Sequence, residues 1–272
     1  MKKRIFFLIV LILTLSTAAH AQVVKGVSRG VVAGQTAACP STNACTNATT
    51  GECGTTYLAC EDFGGSAYCV GSSGANNCRN AWVTDDTIPT WAGAAISGEG
   101  TYSVNMVNST STTEFHKVFT AANDLYVFFK LHTGTLNVST DTPFFRFLDT
   151  GWTQFLMMAY LTTDTSIPGS SYWKLACGSG SAGATSATPG VANNTTYNVW
   201  VEYHHVTGAN NDQCTVYMST TNVKGTATMT ESDGTQDYQV GITSWRDAYS
   251  VTQPLTIDHI RVGASAFTGV PD

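Results

Sequence analysis

The sequence predicts an all-β protein whose strands form a two-sheet antiparallel sandwich. Three observations predict it: short runs of alternating apolar and polar residues recur along the chain, turn-forming residues separate these runs, and helical periodicity is almost absent. Only 12% of the 272 residues are charged, about half of the usual share in globular domains. Ser, Thr, Asn and Gly are abundant instead, a composition that suits an extracellular β-protein.

The net charge of the chain excludes two classes of partner. With 13 Lys and Arg against 19 Asp and Glu, the formal net charge is −6. Nucleic acids and anionic membranes attract proteins that present a basic face. We therefore expect no nucleic-acid partner and no binding to an anionic membrane surface.

The first 21 residues have the pattern of a secretory signal peptide. Basic residues at 2–4 precede an apolar run over 5–15, and a small-x-small cleavage site follows at 19–21. The apolar run is shorter than the roughly 20 residues that a membrane helix needs, and no second run follows. We expect a secreted protein, extracellular, at the cell surface or periplasmic, with no membrane span after cleavage.

The mature chain divides into a leader and a sandwich domain. Residues 22–56 lack a sustained apolar period and are rich in Gly, Ala, Thr and Asn, which predicts an extended Cys-rich leader, and residues 57–272 carry the strand pattern. An even number of cysteines in an exported chain indicates disulfides. The eight cysteines predicted to be disulfide-bonded are Cys39, Cys45, Cys53, Cys60, Cys69, Cys78, Cys177 and Cys214.

The pairing of the cysteines is only partly constrained. The first six lie close together in the sequence and allow 15 connectivities, which the sequence leaves open. Cys177 and Cys214 are then left for each other. The six-cysteine cluster contains no Cys-x-x-Cys pair and no histidine, which disfavours a zinc site.

Turn-rich segments separate the predicted strands of residues 57–272. About a dozen strands in roughly 210 residues are too many for an immunoglobulin domain and indicate a larger two-sheet jelly roll. The clearest strands are 101–108, 114–119, 124–132, 144–148, 154–162, 172–177, 198–205, 214–219, 238–243 and 256–262.

Five of the segments also carry a family resemblance. They are CEDF at 60–63, GTYSV at 100–104, LYVFF at 125–129, TYNVWVEY at 196–203 and IDHIRVG at 257–263. In their strand rhythm they resemble the concanavalin A-like lectin/glucanase superfamily, in its laminin-G-like branch, from about residue 57 to the C-terminus. The resemblance implies two large curved antiparallel sheets with glycan contacts on the concave face or its rim loops. It implies a fold more strongly than an activity.

Strand alternation predicts a face on which aromatic, cationic and amide side chains lie together. Within 124–132, Leu125, Val127, Phe129 and Leu131 form the core side, and the other side continues onto the neighbouring strands. The residues predicted to bind ligand there are Tyr126, Lys130, His132, Arg146, Gln154, Tyr160, Tyr172, Lys174, Trp200, Glu202 and His204.

This mixed face suits a sugar, because the C–H faces of a pyranose pack on aromatic rings and its hydroxyls need polar partners. The hypothesis places the set on one continuous exposed surface, with Trp173, Val199 and Val201 buried behind it. An ordinary solvated sheet face has the same composition, with Arg146 or Lys174 pairing with Glu202. The sequence leaves both interpretations open.

Two enzymatic functions, glycoside hydrolysis and polysaccharide cleavage by a lyase, are alternatives to simple binding. The superfamily's glucanases have a Glu-x-Asp-x-Glu or Glu-x-Asp-x-x-Glu strand, and no such string occurs here, so glycoside hydrolysis is disfavoured. A polysaccharide lyase needs a cation or amide to neutralise a uronate carboxylate and a His or Tyr to move the proton. The residues of those types are His132, Arg146, Gln154, Tyr172 and Lys174. The Arg-x-Glu-x-Arg and Gln-x-His strands of the alginate-lyase relatives are missing.

No cofactor is predicted. Laminin-G-like relatives bind calcium through loop oxygens, and 85–86 or 210–212 offer Asp and Asn, but turn formation explains both clusters without an ion. Adjacent His204 and His205 point to opposite sides of a strand and cannot chelate one ion together. No catalytic residue is assigned.

The favoured function is a secreted carbohydrate-binding or surface-adhesion module, a lectin whose partner is a glycan or polysaccharide. Two alternatives stay open: a lyase that cleaves a uronate polymer by β-elimination, and a non-catalytic structural surface protein.

Overall fold

A computed structural model describes most of the predicted sandwich. The described residues are 57–61, 83–85, 90–93, 96, 102–106, 114–134, 142–163, 171–178, 190–208, 211–233, 237–246 and 255–271. The predicted signal peptide, the predicted leader and all the clustered cysteines except Cys60 lie outside them.

The described residues form fifteen strands and no helix. The strands are β1 (Ala59–Glu61), β2 (Val83–Asp85), β3 (Thr90–Gly93), β4 (Tyr102–Met106), β5 (Glu114–Ala122), β6 (Asp124–Thr133), β7 (Thr142–Leu148), β8 (Phe155–Thr163), β9 (Ser171–Cys177), β10 (Gly190–Val191), β11 (Thr195–His204), β12 (Asp212–Ser219), β13 (Met229–Asp233), β14 (Val240–Arg246) and β15 (Leu255–Gly263).

The strands form two antiparallel sheets, which confirms the predicted fold class. Sheet A has the order β13-β12-β11-β6-β15-β4-β3, with β1 also paired to β15. Sheet B has the order β10-β9-β8-β7-β14-β5-β2. Strands that are consecutive in the chain often lie in different sheets, as β6 and β7 do.

Aromatic side chains from the facing sides of the two sheets fill the core. Phe129 of β6 stacks on Phe145 of β7 with ring centroids 5.4 Å apart, and Trp245 of β14 lies edge-on to Phe129 at 5.5 Å. Trp173 of β9 meets Tyr197 of β11 at 5.5 Å. The predicted core side of β6 is therefore confirmed, and Trp173, Val199 and Val201 are buried as predicted.

Two irregularities in the pairing of β7 with β8 change which side chains enter this core. The register shifts between Pro143 and Phe145, so that Phe144 and Phe145 are both buried. It shifts again where Leu148 pairs with Phe155, so that Leu156 and Met157 are both buried. Phe155 consequently lies on the outer side of sheet B, where strict alternation would have turned it inward.

A disulfide joins the two sheets. Cys177 at the end of β9 is bonded to Cys214 of β12, with a Cα–Cα distance of 5.7 Å across a sequence separation of 37 residues. The predicted pairing of these two cysteines is confirmed. Cys60 is also disulfide-bonded, so no cysteine of the described ranges is free.

Candidate functional site

The residues predicted to share one mixed face are divided between the two sheets. Tyr126, Lys130 and His132 lie on β6, and Trp200, Glu202 and His204 lie on β11, both in sheet A. Arg146, Tyr160, Tyr172 and Lys174 lie on β7, β8 and β9 of sheet B, and Gln154 directly precedes β8.

The prediction of one continuous surface is therefore wrong, because the outer sides of the two sheets point away from each other. Alternation shows on which side of its own strand a residue lies, but it does not show which sheet the strand joins. The residue set considered for a lyase is divided in the same way, since His132 lies in sheet A and the other four belong to sheet B.

Part of the outer side of sheet A, around Trp200, is covered by the chain's own C-terminal segment. Trp200 is only 1% exposed, and its Nε1 donates a hydrogen bond to the carbonyl oxygen of Gly269 at 2.9 Å. Lys224 Nζ donates to the carbonyl oxygen of Phe267 at 2.9 Å, and His259 Nε2 lies 2.9 Å from that of Pro271. A ring held under this segment cannot stack on a sugar, so Trp200 is a structural residue in this fold.

A buried polar cluster lies beneath the same cover. Lys224 forms an ion pair with Glu202, and its Nζ lies 4.2 Å from the ring centroid of Tyr217. The Tyr217 hydroxyl donates to the Glu202 carboxylate at 3.3 Å. Burial raises the pKa of Tyr217 above its ordinary value, and the negative charge of Glu202 adds to the effect. The Glu202 carboxylate is thus engaged within the protein.

The remaining sheet A residues of the predicted set have partners in the chain as well. His132 Nδ1 lies 3.0 Å from the Thr196 hydroxyl, and His204 Nδ1 lies 2.9 Å from the Asp124 carboxylate. The ring of Tyr126 meets His204 edge-on at 5.5 Å. Burial raises the pKa of Tyr126, as do the charges of Asp124 and Glu202. Ligand binding by these residues stays a prediction.

A polar row crosses the outer side of sheet B. Ser244 of β14 pairs in register with Arg146 of β7 on one side and with His116 of β5 on the other. Arg146 Nε donates to the Ser244 hydroxyl at 3.3 Å. All three side chains are buried, although they lie on the side opposite the core rings Phe145 and Trp245.

An apolar row lies next to the polar row on the same side. Ile242 of β14 pairs with Leu148 of β7 and Val118 of β5, and Leu148 pairs with Phe155 of β8. Leu148 and Ile242 are buried, whereas Val118 is 48% exposed and Phe155 is 37% exposed. The Arg146 guanidinium lies 5.4 Å from the ring centroid of Phe155, within the range of a cation–π contact.

The turn between β7 and β8 is organised by one carboxylate. Asp149 accepts hydrogen bonds from the backbone N–H groups of Gly151 (3.2 Å), Thr153 (2.8 Å) and Gln154 (2.8 Å), and from the Thr153 hydroxyl (2.9 Å). Partial burial acts to raise the pKa of Asp149, but these four hydrogen bonds outweigh it and lower the pKa below its ordinary value. The turn is therefore closed most firmly when Asp149 is ionised.

This turn presents an exposed tryptophan above the polar row. Trp152 adopts a left-handed backbone conformation with φ of 58° and is 41% exposed. Its ring meets His116 of β5 edge-on, with centroids 4.6 Å apart. The turn lies against Gly241 of β14, where an added Cβ would come within 2.1 Å of Thr150 Cγ2 and 2.9 Å of the Thr150 backbone nitrogen.

Together these residues form an amphipathic surface on sheet B, which we call the sheet B platform: Trp152, Phe155, Val118, Arg146 and His116. Of these only Arg146 belongs to the set predicted from sequence. Phe155 was missed because a bulge reverses its side, and Trp152 because it lies in a turn between predicted strands. A large aromatic beside the turn-forming Asp149-Thr150-Gly151 was the one signal in the sequence that could have found it.

Four further residues of the predicted set belong to sheet B. Lys174 is half-buried and pairs in register with Tyr160, and Tyr172 pairs with Thr162. Gln154 is half-buried and donates its backbone N–H to Asp149. The side chains of Tyr160 and Tyr172 lie outside the described part of the structure.

Neither a metal cluster nor a membrane helix occurs within the described ranges. No group of three or more His, Cys, Asp and Glu side chains there could hold a metal ion. The Asp212 carboxylate lies 2.6 Å from the Tyr203 hydroxyl and 2.9 Å from His205 Nδ1. Asp86 and Asn210 lie outside the described residues. Over the same ranges, no helix is long and apolar enough to cross a membrane.

Comparisons with known proteins find similarity only at the level of solved structures. No family model and no curated protein matches the chain. A mutant of the alginate lyase Aly36B in complex with alginate trisaccharide has a TM-score of 0.46 at 9% identity, covering 61% of this chain and 82% of that one.

Two further solved structures show the same level of similarity. Cip1, a cellulose-induced protein, has a TM-score of 0.44 at 13% identity, covering 74% and 92% of the two chains. The exoplasmic/lumenal domain of VIP36, bound to Ca²⁺ and Man3GlcNAc, has a TM-score of 0.41 at 12% identity, covering 72% and 90%. At these values none of their binding sites is transferred to this chain.

The cover on sheet A predicts that Trp200 contributes to stability. Trp200→Phe removes the hydrogen bond to Gly269 and leaves a small void, so we expect the free energy of unfolding to fall by about 1–3 kcal/mol. Urea unfolding measures it. Trp152→Phe is the matched control, because Trp152 is partly exposed, at 41%, and the substitution should cost less than about 0.5 kcal/mol. Equal stabilities for wild type and Trp200→Phe would contradict the burial of that ring.

The Asp149 hydrogen bonds predict a pH dependence of stability. Because the folded pKa of Asp149 is lowered, its contribution is fully present above the unfolded value and is lost as the pH falls through the folded pKa. Wild type should therefore be more stable than Asp149→Asn at neutral pH, and the difference should shrink on acidification. Urea unfolding of both proteins as a function of pH measures this. A difference that stays constant down to about pH 2 would show that the carboxylate charge plays no part.

Proposed function

We propose that the chain binds a carbohydrate on the sheet B platform and acts as a non-catalytic binding or surface-adhesion module. The observation that carries the proposal is the pair of partly exposed rings, Trp152 and Phe155, on the outer side of sheet B. The predicted export signal and the resemblance to the concanavalin A-like superfamily, in its laminin-G-like branch, are consistent with such a role.

The chemistry of the platform supports a sugar as the ligand. A pyranose has apolar C–H faces and polar edges, so it needs rings to stack on and hydrogen-bonding groups beside them. Trp152 and Phe155 supply the rings, and Val118 extends the apolar row. Gln154 and Lys174, which belong to the same part of the chain, are half-buried polar side chains that remain partly accessible.

The buried residues of the platform support these rings. Arg146 lies against Phe155, and His116 meets Trp152 edge-on. Both are about 5% exposed, so they hold the rings in place more than they reach outward. A surface held in one arrangement before binding loses less conformational entropy on contact with a ligand.

Binding without turnover is favoured by the positions of the acidic and basic groups. Hydrolysis needs two carboxylates on either side of the scissile bond. Asp149 already accepts four hydrogen bonds, and Glu202 lies in the other sheet under its cover. β-Elimination needs a group that removes the substrate proton and a cation that neutralises its carboxylate. His116 and Arg146 are groups of these kinds in sheet B, but both are buried and cannot reach a substrate.

Removing either ring should weaken binding. The probes are soluble β-glucan, xylan, mannan and alginate, each cast into a native gel whose retardation of the protein reports affinity. We expect Trp152→Ala and Phe155→Ala to weaken the binding seen for wild type by about five- to tenfold each, because one stacked ring contributes about 1 to 1.5 kcal/mol. Tyr238→Ala is the matched control, since that ring is equally exposed, at 42%, outside the platform.

Other outcomes of the same experiment separate the alternatives. Retardation unchanged by either ring variant would place the binding site elsewhere. Wild type that migrates freely in all four gels would favour the structural surface protein. Release of an ultraviolet-absorbing unsaturated product from alginate would establish the lyase.

A further inference from the structure

We propose that Asp149 and Gly241 are positioning residues of the sheet B platform: together they set the place of Trp152 without offering a side chain to the ligand. The effect on affinity rests on the proposed function, whereas the effect on the position of Trp152 does not.

Asp149 holds Trp152 in a backbone conformation that a tryptophan seldom adopts by itself. A φ of 58° is unfavourable for a bulky residue with a Cβ atom, so the surrounding turn has to impose it. The Asp149 carboxylate accepts hydrogen bonds from residues on both sides of Trp152, at Gly151 and Thr153. The Trp152 N–H itself donates to the Asp149 carbonyl at 3.2 Å. Without the carboxylate, the turn loses the contacts that fix its shape.

Gly241 sets how far the turn leans over sheet B. The turn leaves β7 and lies over β14, where the Thr150 backbone occupies the space that a side chain at position 241 would need. An alanine there would bring its Cβ within 3.0 Å of Thr150 N and Cα, which are backbone atoms and cannot rotate away. The turn would have to lift, and Trp152 would lift with it.

His116 marks where the ring should be. It is buried on β5, one strand beyond β14, and the edge-on contact with Trp152 at 4.6 Å exists only if the turn reaches across β14. The lowered pKa of Asp149 agrees with a carboxylate that is ionised and fully engaged in the turn. Trp152 is thus held in place by the hydrogen bonds of the Asp149 carboxylate, by the close approach of the turn to Gly241, and by the contact with His116.

The first arm of the test needs no ligand. Aromatic ring currents shift the His116 ring protons, which NMR resolves by comparing wild type with Trp152→Ala. We expect Asp149→Ala and Gly241→Ala to move these resonances towards their positions in Trp152→Ala. Asp149→Asn retains one acceptor oxygen and should stay closer to wild type than Asp149→Ala does. Asp237→Ala is the matched control, because Asp237 also accepts a backbone N–H, from Gly208 at 3.1 Å, in an exposed loop.

The second arm measures affinity for those of the four soluble polysaccharides that retard wild type. Asp149→Ala and Gly241→Ala should weaken binding about three- to tenfold, the cost of ordering one side chain that is no longer held in place. Asp149→Asn should restore part of the loss, and Asp237→Ala should bind as wild type.

The two arms fail separately. His116 resonances and binding both unchanged in Asp149→Ala would overturn the positioning role. If Trp152→Ala binds as wild type, the proposed function fails, and the first arm still decides whether Asp149 and Gly241 place the ring. If Gly241→Ala does not fold, Asp149→Ala and its asparagine counterpart decide the proposal, since both change only the turn.

Discussion

The register of β7 is the constraint on which the rest of the described structure depends. Phe145 and Phe147 enter the core from this strand, and Arg146 between them leaves it. A slip by one residue would exchange them, withdrawing two rings worth about 2–3 kcal/mol each from the core. It would also place a guanidinium among apolar side chains, at a still larger cost. The register is therefore fixed by packing, and the outward position of Arg146 is fixed with it.

The register shift where Leu148 pairs with Phe155 determines which side chains reach the outer side of sheet B. With Leu156 and Met157 both buried, Phe155 leaves the core and comes to lie beside Arg146. The turn that follows β7 then leans across β14 onto β5, because Gly241 leaves room for it. The platform thus derives from the pairing of β7 with its two neighbours, and not from a motif contiguous in sequence.

The two sheets have different outer sides, and the difference is physical. Sheet A carries its own cover, in which the C-terminal segment accepts hydrogen bonds from Trp200 and Lys224 through its backbone carbonyls. A buried ion pair such as Glu202 with Lys224 adds little net stability, but removing one partner would leave a buried charge uncompensated. These contacts favour a C-terminal segment that stays in place over Trp200 and the ion pair. Sheet B presents partly exposed rings with buried polar groups at their base, an arrangement that suits contact with a ligand.

Much of the fold could be predicted from the sequence, and less of the site. Alternation within 124–132 correctly assigned the core residues from Leu125 to Leu131, and elimination correctly paired Cys177 with Cys214. Sheet membership could not be read, because it depends on long-range pairing: β6 joins β11 and β15, not β7. The bulge that turns Phe155 outward and the C-terminal segment that buries Trp200 also depend on contacts between residues far apart in the sequence. For this reason Phe155 was missed and Trp200 was expected to be exposed.

We propose that a ligand binds at the sheet B platform, where Trp152 and Phe155 are partly exposed, and not under the C-terminal segment on sheet A. Mapping backbone amide shifts by NMR during titration with those polysaccharides that retard the protein tests this most directly. We predict that the shifted amides lie in β5, β7, β8, β14 and the turn over 149–154. Shifts confined to β6, β11 and the C-terminal segment 264–271 would contradict it, because they would show that the cover on sheet A opens to admit the ligand.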